Sequence, residues 1–272
     1  MTALVIKMLA ALLVIAQFWC PMHPDERADA RRACSICGMQ LVPMPPAAFA
    51  TYPVDLRATT TLAGARLRLT VRHPATNAIV RRFAIVHERP MHLFVVGDDA
   101  GFFAHDHPVQ QSDGVFMLDV TLPHPGAFMA IAEFLPEGGT PQTFQQIFTT
   151  AGSPARRPPP ALDAGAKLAD GVRVALDASQ LRGGSSAPLV VTIEDGTSGA
   201  PVNDIEPYLG ARAHLFAISS DLTEAIHGHP DGARTGALTF VPLLPRPGRY
   251  MIWLQFQRGG QVSTVPFVID VP

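Results

Sequence analysis

The feature of this sequence that most constrains its fold is an internal repeat at an offset of 122 residues. Aligned without a gap, residues 92–139 and 214–261 share fifteen identities in forty-eight positions. Upstream, the segment ARLRLTV at 65–71 aligns with APLVVTI at 187–193. Solenoid repeats have periods of about 20 to 50 residues, so this offset indicates two copies of a domain of roughly one hundred residues.

Each copy has the pattern of an antiparallel β-sandwich. Apolar residues alternate with others over short runs, as at Leu67, Leu69 and Val71, which is the period of a half-buried strand. Turn signals such as Asp113-Gly114 separate the runs. Twenty-six prolines and a charged fraction of 16% favour short strands over long helices, and 47% hydrophobic residues suffice for packed cores. We therefore expect an all-β fold with two tandem Ig-like sandwiches of about seven strands each.

The expected organisation has five parts. The two sandwiches span residues 50–152 and 164–272. The proline-rich linker at 153–163 is expected to hold them apart semi-rigidly. Residues 17–45 form a separate cysteine-containing segment, and residues 1–16 form an apolar leader.

The leader belongs to an apolar run over residues 3–19 that only Lys7 interrupts. As a helix this run reaches about 26 Å, which is marginal for a hydrocarbon core of ~30 Å. It is either a cleaved signal peptide, with Lys7 as its positive end, or a retained membrane anchor with Trp19 at the interface. Both interpretations place the rest of the chain outside the cytoplasm.

All three cysteines lie within eighteen residues, in the segment that we call the cysteine module (residues 17–45). An odd number cannot be fully paired within one chain, and disulfide frameworks spread their cysteines through the domains that they staple. Cys20 and His23 are three residues apart, as are Cys34 and Cys37, so each pair can curve around one ion in a tight turn. Three thiolates and one imidazole form the four-coordinate set that Zn(II) accepts.

Thioether groups in the module widen the choice of metal. Met22 and Met39 lie next to the proposed ligands and shift the preference towards soft ions such as Cu(I). The alternatives are a redox pair at Cys34 and Cys37, or incidental cysteines in a loop. A CxxC redox motif normally opens a helix in a βαβ context, which this sequence lacks, so metal ligation is favoured.

The motifs CPMHP at 20–24, CSICGM at 34–39 and LVP at 41–43 closely resemble the small heavy-metal-binding domain found on bacterial efflux adaptors and some metal-transporting P-type ATPases. The resemblance covers roughly residues 17–45 and strengthens the assignment of Cys20, His23, Cys34 and Cys37 as ligands. It implies a bacterial envelope protein on the periplasmic side, with an efflux transporter or adaptor as a partner. Because the apolar run reaches the first cysteine, the module is expected to lie almost against the membrane.

Six of the ten histidines recur between the two copies. They form a first triad (His92, His105, His107) and a second triad (His214, His227, His229) with identical spacing. In an extended segment residues i and i+2 point to one side, so the last two members of each triad can present two imidazoles together. If the connection after the first member folds back, each triad becomes a three-imidazole site suited to Cu(II) or Zn(II).

A simpler alternative applies to the same pattern, because His-x-His-Pro can be a turn whose imidazoles cap backbone carbonyls. The segment MHLFVVGDDAGFFAHDHP also resembles, more loosely, paired β-sandwich segments of envelope proteins that carry the heavy-metal module, and this assigns no ligand. His73, His87 and His124 have no histidine counterpart in the other copy and are interpreted as surface or loop residues.

Several function classes are excluded. A net charge of −2 with only two lysines argues against nucleic-acid binding. His87 and His92 are five residues apart with Pro90 between them, so they do not form the helical zinc-protease motif. Nucleophile-elbow, phosphate-loop and dinucleotide motifs are absent from the sequence, and the sandwiches have no cysteine for a blue-copper site.

The leading hypothesis is a non-enzymatic envelope protein that binds copper or zinc for sequestration or for delivery to an efflux system. Two alternatives stay open. One is a copper-dependent redox enzyme that uses the two triads, and the other is a pair of interaction domains that dock on a transporter.

Overall fold

Short antiparallel strands make up the computed structural model of this protein. The structure describes residues 17–21, 23, 26–36, 38–44, 50–61, 63–99, 101–150, 160–231 and 236–272. Among these residues there are strands, turns and no α-helix, so no described helix is of a length and apolarity that would cross a membrane. The leader, residues 1–16, lies outside the described residues.

The cysteine module contains three two-residue strands, β1 (Phe18–Trp19), β2 (Arg27–Ala28) and β3 (Val42–Pro43), in the order β2-β1-β3. Its small core consists of Cys20, Cys34, Met39 and Leu41, and Val86 of the first sandwich packs against it. The module therefore rests on the sandwich that follows it.

The first sandwich contains β4 (Val54–Thr60), β5 (Gly64–Val71), β6 (Met91–Gly97), β7 (Phe103–Asp106), β8 (Val109–Gln110), β9 (Phe116–Thr121), β10 (Ala127–Phe134) and β11 (Gln142–Thr149). Its sheets have the orders β4-β5-β9-β8 and β11-β10-β6-β7, and all pairs are antiparallel. Leu67, Leu69 and Val71 point into the core as the alternation predicts, and they share one cluster with Leu93 and Val95 of the facing sheet.

The second sandwich contains β12 (Lys167–Ala169), β13 (Val172–Asp177), β14 (Ser185–Ser186), β15 (Leu189–Asp195), β16 (Ala213–Ser219), β17 (Ala225–Gly228), β18 (Ala237–Phe240), β19 (Leu243–Leu244), β20 (Gly248–Arg258) and β21 (Gln261–Val271). Its main sheets have the orders β12-β13-β15-β18 and β17-β16-β20-β21, and β14 pairs with β19. Strands β6 and β16 differ by 122 residues at both ends, as do β7 and β17. The prediction of an all-β fold with two sandwiches is confirmed.

Strands β6 and β16 are buried along their whole length, because each is covered on both faces. One face points into its own sandwich, and the other faces the partner sandwich across a shared apolar interface. In this interface the rings of Phe94 and Phe216 stack with their centroids 4.4 Å apart, and Trp253 stacks on Phe103 at 4.7 Å.

This contact corrects the prediction that the linker holds the sandwiches apart. Residues 153–159 of the linker lie outside the described residues, yet the two sheets on either side of it pack directly together. The physical reason is the apolar outer face of β6 and β16, which would be costly to leave in water. Where the linker begins and ends stays a prediction.

Candidate metal sites

Two tight turns in the cysteine module bring Cys20, His23 and Cys34 together. The Sγ atoms of Cys20 and Cys34 lie 3.7 and 3.6 Å from Nδ1 of His23, and the three ligand atoms are all within 4.8 Å of one another. When a tetrahedral ion binds sulfur at ~2.3 Å and nitrogen at ~2.0–2.1 Å, the sulfur and nitrogen atoms lie about 3.6 Å apart. The three side chains thus have the spacing of ligands around one zinc-sized ion.

Backbone hydrogen bonds explain why these side chains point inward. The amide of His23 donates to the carbonyl of Cys20 at 3.1 Å, and the amide of Gly38 donates to the carbonyl of Cys34 at 2.9 Å. Gly38 has a φ of 76°, a left-handed conformation that glycine adopts without steric cost. Both cysteines are buried.

The other ligands predicted for the module have different outcomes. Met39 is buried and lies in the same small core as Cys20 and Cys34, so a thioether is present beside the thiols. Cys37 and Met22 lie outside the described residues, and their part in ligation stays a prediction.

His23 also connects the module to the second sandwich. Its remote ring atom, Nε2, lies 3.5 Å from Oδ1 of Asp231, while Nδ1 faces the two sulfurs. A carboxylate facing the remote nitrogen of a ligating imidazole orients the ring and increases its basicity. A cavity of about 270 Å³ is lined by His23, His227 and His229, so the module and the second triad share one space.

The first triad converges on one point. Nδ1 of His92 lies 3.1 Å from Nε2 of His105 and 3.3 Å from Nε2 of His107. His92 lies on the interface face of β6, and the β6–β7 hairpin places His105 opposite Phe94. The expected fold-back therefore occurs. The remote nitrogen of His92 is 2.9 Å from the carbonyl oxygen of Val86 and donates to it.

The second triad repeats this arrangement in β16 and β17. Nδ1 of His214 lies 3.2 Å from Nε2 of His227 and 2.9 Å from Nε2 of His229. The remote nitrogen of His214 donates to the carbonyl oxygen of Tyr208 at 2.8 Å, and Tyr208 is the repeat equivalent of Val86. The structure thus brings together every predicted histidine of both triads.

Each sandwich also supplies a hydrogen-bond acceptor to the triad of the other. Nδ1 of His105 lies 2.8 Å from Oε1 of Gln255, and Nδ1 of His227 lies 2.8 Å from Oε2 of Glu133. Glu133 and Gln255 are themselves equivalent positions of the repeat. Sequence reasoning missed both residues, although a polar residue in an otherwise apolar strand was an available signal.

Burial lowers the pKa values of five of the six triad histidines. It is the main cause that lowers the pKa of His92 and of His107 to about 4, with nearby histidines adding to the effect. The pKa values of His105, His214 and His229 are also lowered, again chiefly by burial. These imidazoles are therefore neutral near pH 7, which is the form that binds metal ions.

Glu133 responds in the opposite way to its surroundings. Burial acts to raise the pKa of its carboxyl group, but electrostatic attraction to His227 and the hydrogen bond between the two side chains outweigh burial and leave that pKa lowered. Glu133 is therefore a carboxylate, and its hydrogen bond with His227 is charge-assisted.

His87 is a correction to the prediction of surface or loop residues. It does lie in a turn, but its side chain is buried and its ring stacks on that of His229 with centroids 4.0 Å apart. Neither ring nitrogen makes a hydrogen bond of normal geometry, although the backbone near Leu209 partly supports the charged form. Burial lowers the pKa of His87 to about 3. The surface interpretation fits His73, which is exposed, and His124 is half-buried.

Two family models match parts of this chain. Residues 17–44 match a heavy metal binding domain, and residues 166–272 match a domain of unknown function, DUF8832. The first match covers the cysteine module and the second covers the second sandwich. Metal binding by the module is therefore supported independently of the geometry. No curated protein matches this chain.

Among solved structures, the chain is similar to a two fibronectin type-III domain segment from chicken tenascin. The identity is 15% and the TM-score is 0.23, with 81% of this chain and 99% of that chain covered. The assignment of two sandwiches rests on the strand pairing and cores described above.

Proposed function

We propose that this chain is a non-enzymatic metal-binding protein of the bacterial cell envelope that captures a copper or zinc ion on its cysteine module. It then sequesters the ion or delivers it to an efflux transporter or adaptor. The observation that carries the proposal is the convergence of Cys20, His23 and Cys34 around one point. The match of residues 17–44 to a heavy metal binding domain supports it.

The donor set suits two ions. Two described thiols and an imidazole, with Cys37 as the predicted fourth ligand, would make a closed four-coordinate site of the kind that holds Zn(II). Met39 beside the thiols adds a soft donor, which favours Cu(I). The module binds as a carrier in this proposal, because a closed site leaves no coordination position for a reacting substrate.

The build of the module suits exchange of its ion. Its strands have only two residues each, so little regular strand pairing supports the module around its turns. Small metal sites of this kind fold around their ion and release it when a partner offers matching ligands. The apolar run that ends beside Cys20 supports a position next to the membrane, where an efflux system would receive the ion.

The proposal is tested by the spectrum of the Co(II)-loaded full chain, in which thiolate ligands give intense charge-transfer bands. We expect these bands in the unmodified protein and their loss in the double variant Cys34→Ser, Cys37→Ser. Ser35→Ala, within the same turn, is the matched control and retains them. Unchanged bands in the double variant contradict the proposal.

Two cellular measurements test the rest of the proposal. Fractionation of the native host, with the mass of the mature N-terminus, reports whether the chain is in the envelope and whether residues 1–16 are removed. Deletion of the gene that encodes this protein is expected to lower the tolerance of the native host to copper or zinc. Unchanged tolerance to both metals contradicts a role in export or sequestration.

A second candidate function is a copper-dependent redox enzyme that uses the triads. It is favoured by a cavity of about 180 Å³ whose lining includes His92, His227 and Glu133, since a catalytic metal needs an accessible position. Oxygen consumption by the copper-loaded chain with a one-electron donor is the test. Turnover that disappears in His227→Ala would favour the enzyme over the carrier.

A further inference from the structure

The inner nitrogens of each triad have the spacing of ligands around a metal ion. In the two triads the distances from the first histidine to the other two are 3.1 and 3.3 Å, and 3.2 and 2.9 Å. Two nitrogens bound at ~2.0–2.1 Å, with angles between octahedral and tetrahedral, lie about 2.9 to 3.4 Å apart. All four distances fall within this range.

Proton positions show why the triads call for a cation. The remote nitrogens of His92 and His105 face the oxygens of Val86 and Gln255, so each must carry the hydrogen of its ring. A neutral imidazole has one such hydrogen, so the inner nitrogens of these two rings both present lone pairs, 3.1 Å apart. His107 can donate one hydrogen to this pair at most, whereas one cation accepts all three lone pairs.

The same reasoning applies to the second triad. His214 donates to the carbonyl of Tyr208, and His227 donates to the carboxylate of Glu133. With both rings in the neutral form that binds metal, their inner nitrogens, 3.2 Å apart, both present lone pairs to the same point. Carbonyl capping therefore accounts for the remote nitrogens only, and it does not explain why the inner ones converge.

The two triads are neighbours across the sandwich interface. The ring of His105 lies 5.5 Å from that of His214 and 5.6 Å from that of His227, and the ring of His92 lies 5.9 Å from that of His227. Each triad takes one of its ring-orienting acceptors from the opposite sandwich. The ligands of each site lie in one sandwich, but the contacts that orient His105 and His227 form only when the two sandwiches are packed together.

We propose that the two sandwiches build one paired metal centre at their interface, in which each triad holds a divalent ion of the Zn(II) or Cu(II) class. The donors are neutral imidazole nitrogens, in contrast to the thiolates of the cysteine module. The centre does not depend on metal binding by that module. Its second site, backed by the carboxylate of Glu133, is the stronger of the two, because a carboxylate partner makes the imidazole a better donor.

The test uses a thiol-free full chain, Cys20→Ser, Cys34→Ser, Cys37→Ser, so that the cysteine module contributes no strong site. After equilibrium dialysis against Zn(II) alone or Cu(II) alone, elemental analysis is expected to find two ions per chain. Adding either His105→Ala or His227→Ala lowers this to one. His73→Ala removes an exposed histidine outside the triads and keeps two.

Electron paramagnetic resonance supplies a second measurement. Two Cu(II) ions in adjacent triads give a magnetically coupled spectrum, and each single-triad variant gives the spectrum of an isolated ion. Near-UV circular dichroism checks folding, and His105→Asn and His227→Asn replace alanine variants that fail this check. The spectrum of the Cu(II)-loaded thiol-free chain also tests for magnetic coupling, and hence for a paired centre, without any triad variant.

The proposal is overturned if the thiol-free chain binds fewer than two ions. It is equally overturned if triad variants keep both ions, or if two bound Cu(II) ions show no coupling. None of these outcomes bears on the thiolate bands of the unmodified protein, so failure of the paired centre and failure of the cysteine module are distinguishable.

Discussion

Nδ1 of His227 lies 2.8 Å from Oε2 of Glu133, a residue of the other sandwich ninety-four positions earlier in the chain. The repeat-related contact pairs His105 with Gln255 at the same distance. The two halves therefore exchange equivalent hydrogen bonds that differ only in the charge of the acceptor. Comparing the two triads therefore measures how the charge of the acceptor affects metal binding.

Exchanging the acceptors is expected to reverse which of the two triads binds metal more tightly. Glu133→Gln should weaken metal binding at the second triad by about 10- to 100-fold, because the loss of an orienting carboxylate has effects of this size. Gln255→Glu should strengthen the first triad. Competition titration of the thiol-free chain against a zinc chelator measures both affinities. Equal affinities in all three proteins would show that the acceptors do not tune the sites.

The apolar interface is expected to contribute substantially to stability. Phe94 is fully buried and stacks on Phe216, so Phe94→Ala should lower the free energy of unfolding by about 3 to 5 kcal/mol. Val109→Ala alters a side chain that is 66% exposed and should change the free energy of unfolding by less than about 0.5 kcal/mol. Chemical denaturation of the metal-free chain measures both. A small effect of Phe94→Ala would mean that the interface contributes little in solution.

Replacing His87 by leucine is expected to stabilise the metal-free chain. The repeat-equivalent residue is Leu209, and the two have φ values of 48° and 50°, so leucine tolerates this backbone conformation. Leucine would also remove two buried nitrogens that lack regular hydrogen bonds, a cost of about 1 to 3 kcal/mol. Thermal unfolding checks the direction. Loss of stability would show that the His87 ring has a partner that offsets its burial.

Gly38→Ala is expected to weaken the cysteine module without a steric clash. An added Cβ would meet nothing within 4 Å, but alanine at a φ of 76° is strained by about 1 to 2 kcal/mol. Release of Co(II) to a chelator, followed through the thiolate bands, should become faster. Gly165→Ala, which also meets no neighbour, is the control. An unchanged rate of Co(II) release would show that the conformation of this turn does not control how long the ion is retained.

The sequence was sufficient to predict the sandwiches and the grouping of the histidines. The alternation at Leu67, Leu69 and Val71 gives the strands, and the spacing of His105 and His107 places both rings on one side of an extended segment. These two signals are local, whereas the choice of the six histidines also needed the comparison of the two copies, 122 residues apart.

The interface and the surroundings of the triads were not predictable in this way. The run Leu93–Val96 is apolar without alternation, which indicates burial on both faces but does not identify the covering surface. His87 was misassigned because its repeat counterpart is an ordinary leucine, so the comparison between copies gave no signal. Its burial results from contacts with His229, which is 142 positions away in the sequence.

The reciprocal bonds from Glu133 and Gln255 have a thermodynamic consequence for the whole chain. Any ion that prefers the triads in their assembled form must, by linkage, also favour cohesion between the halves. Removal of the ions by a chelator should therefore weaken the association between the two sandwiches. In this sense the amount of available metal would regulate how rigidly the molecule is held together.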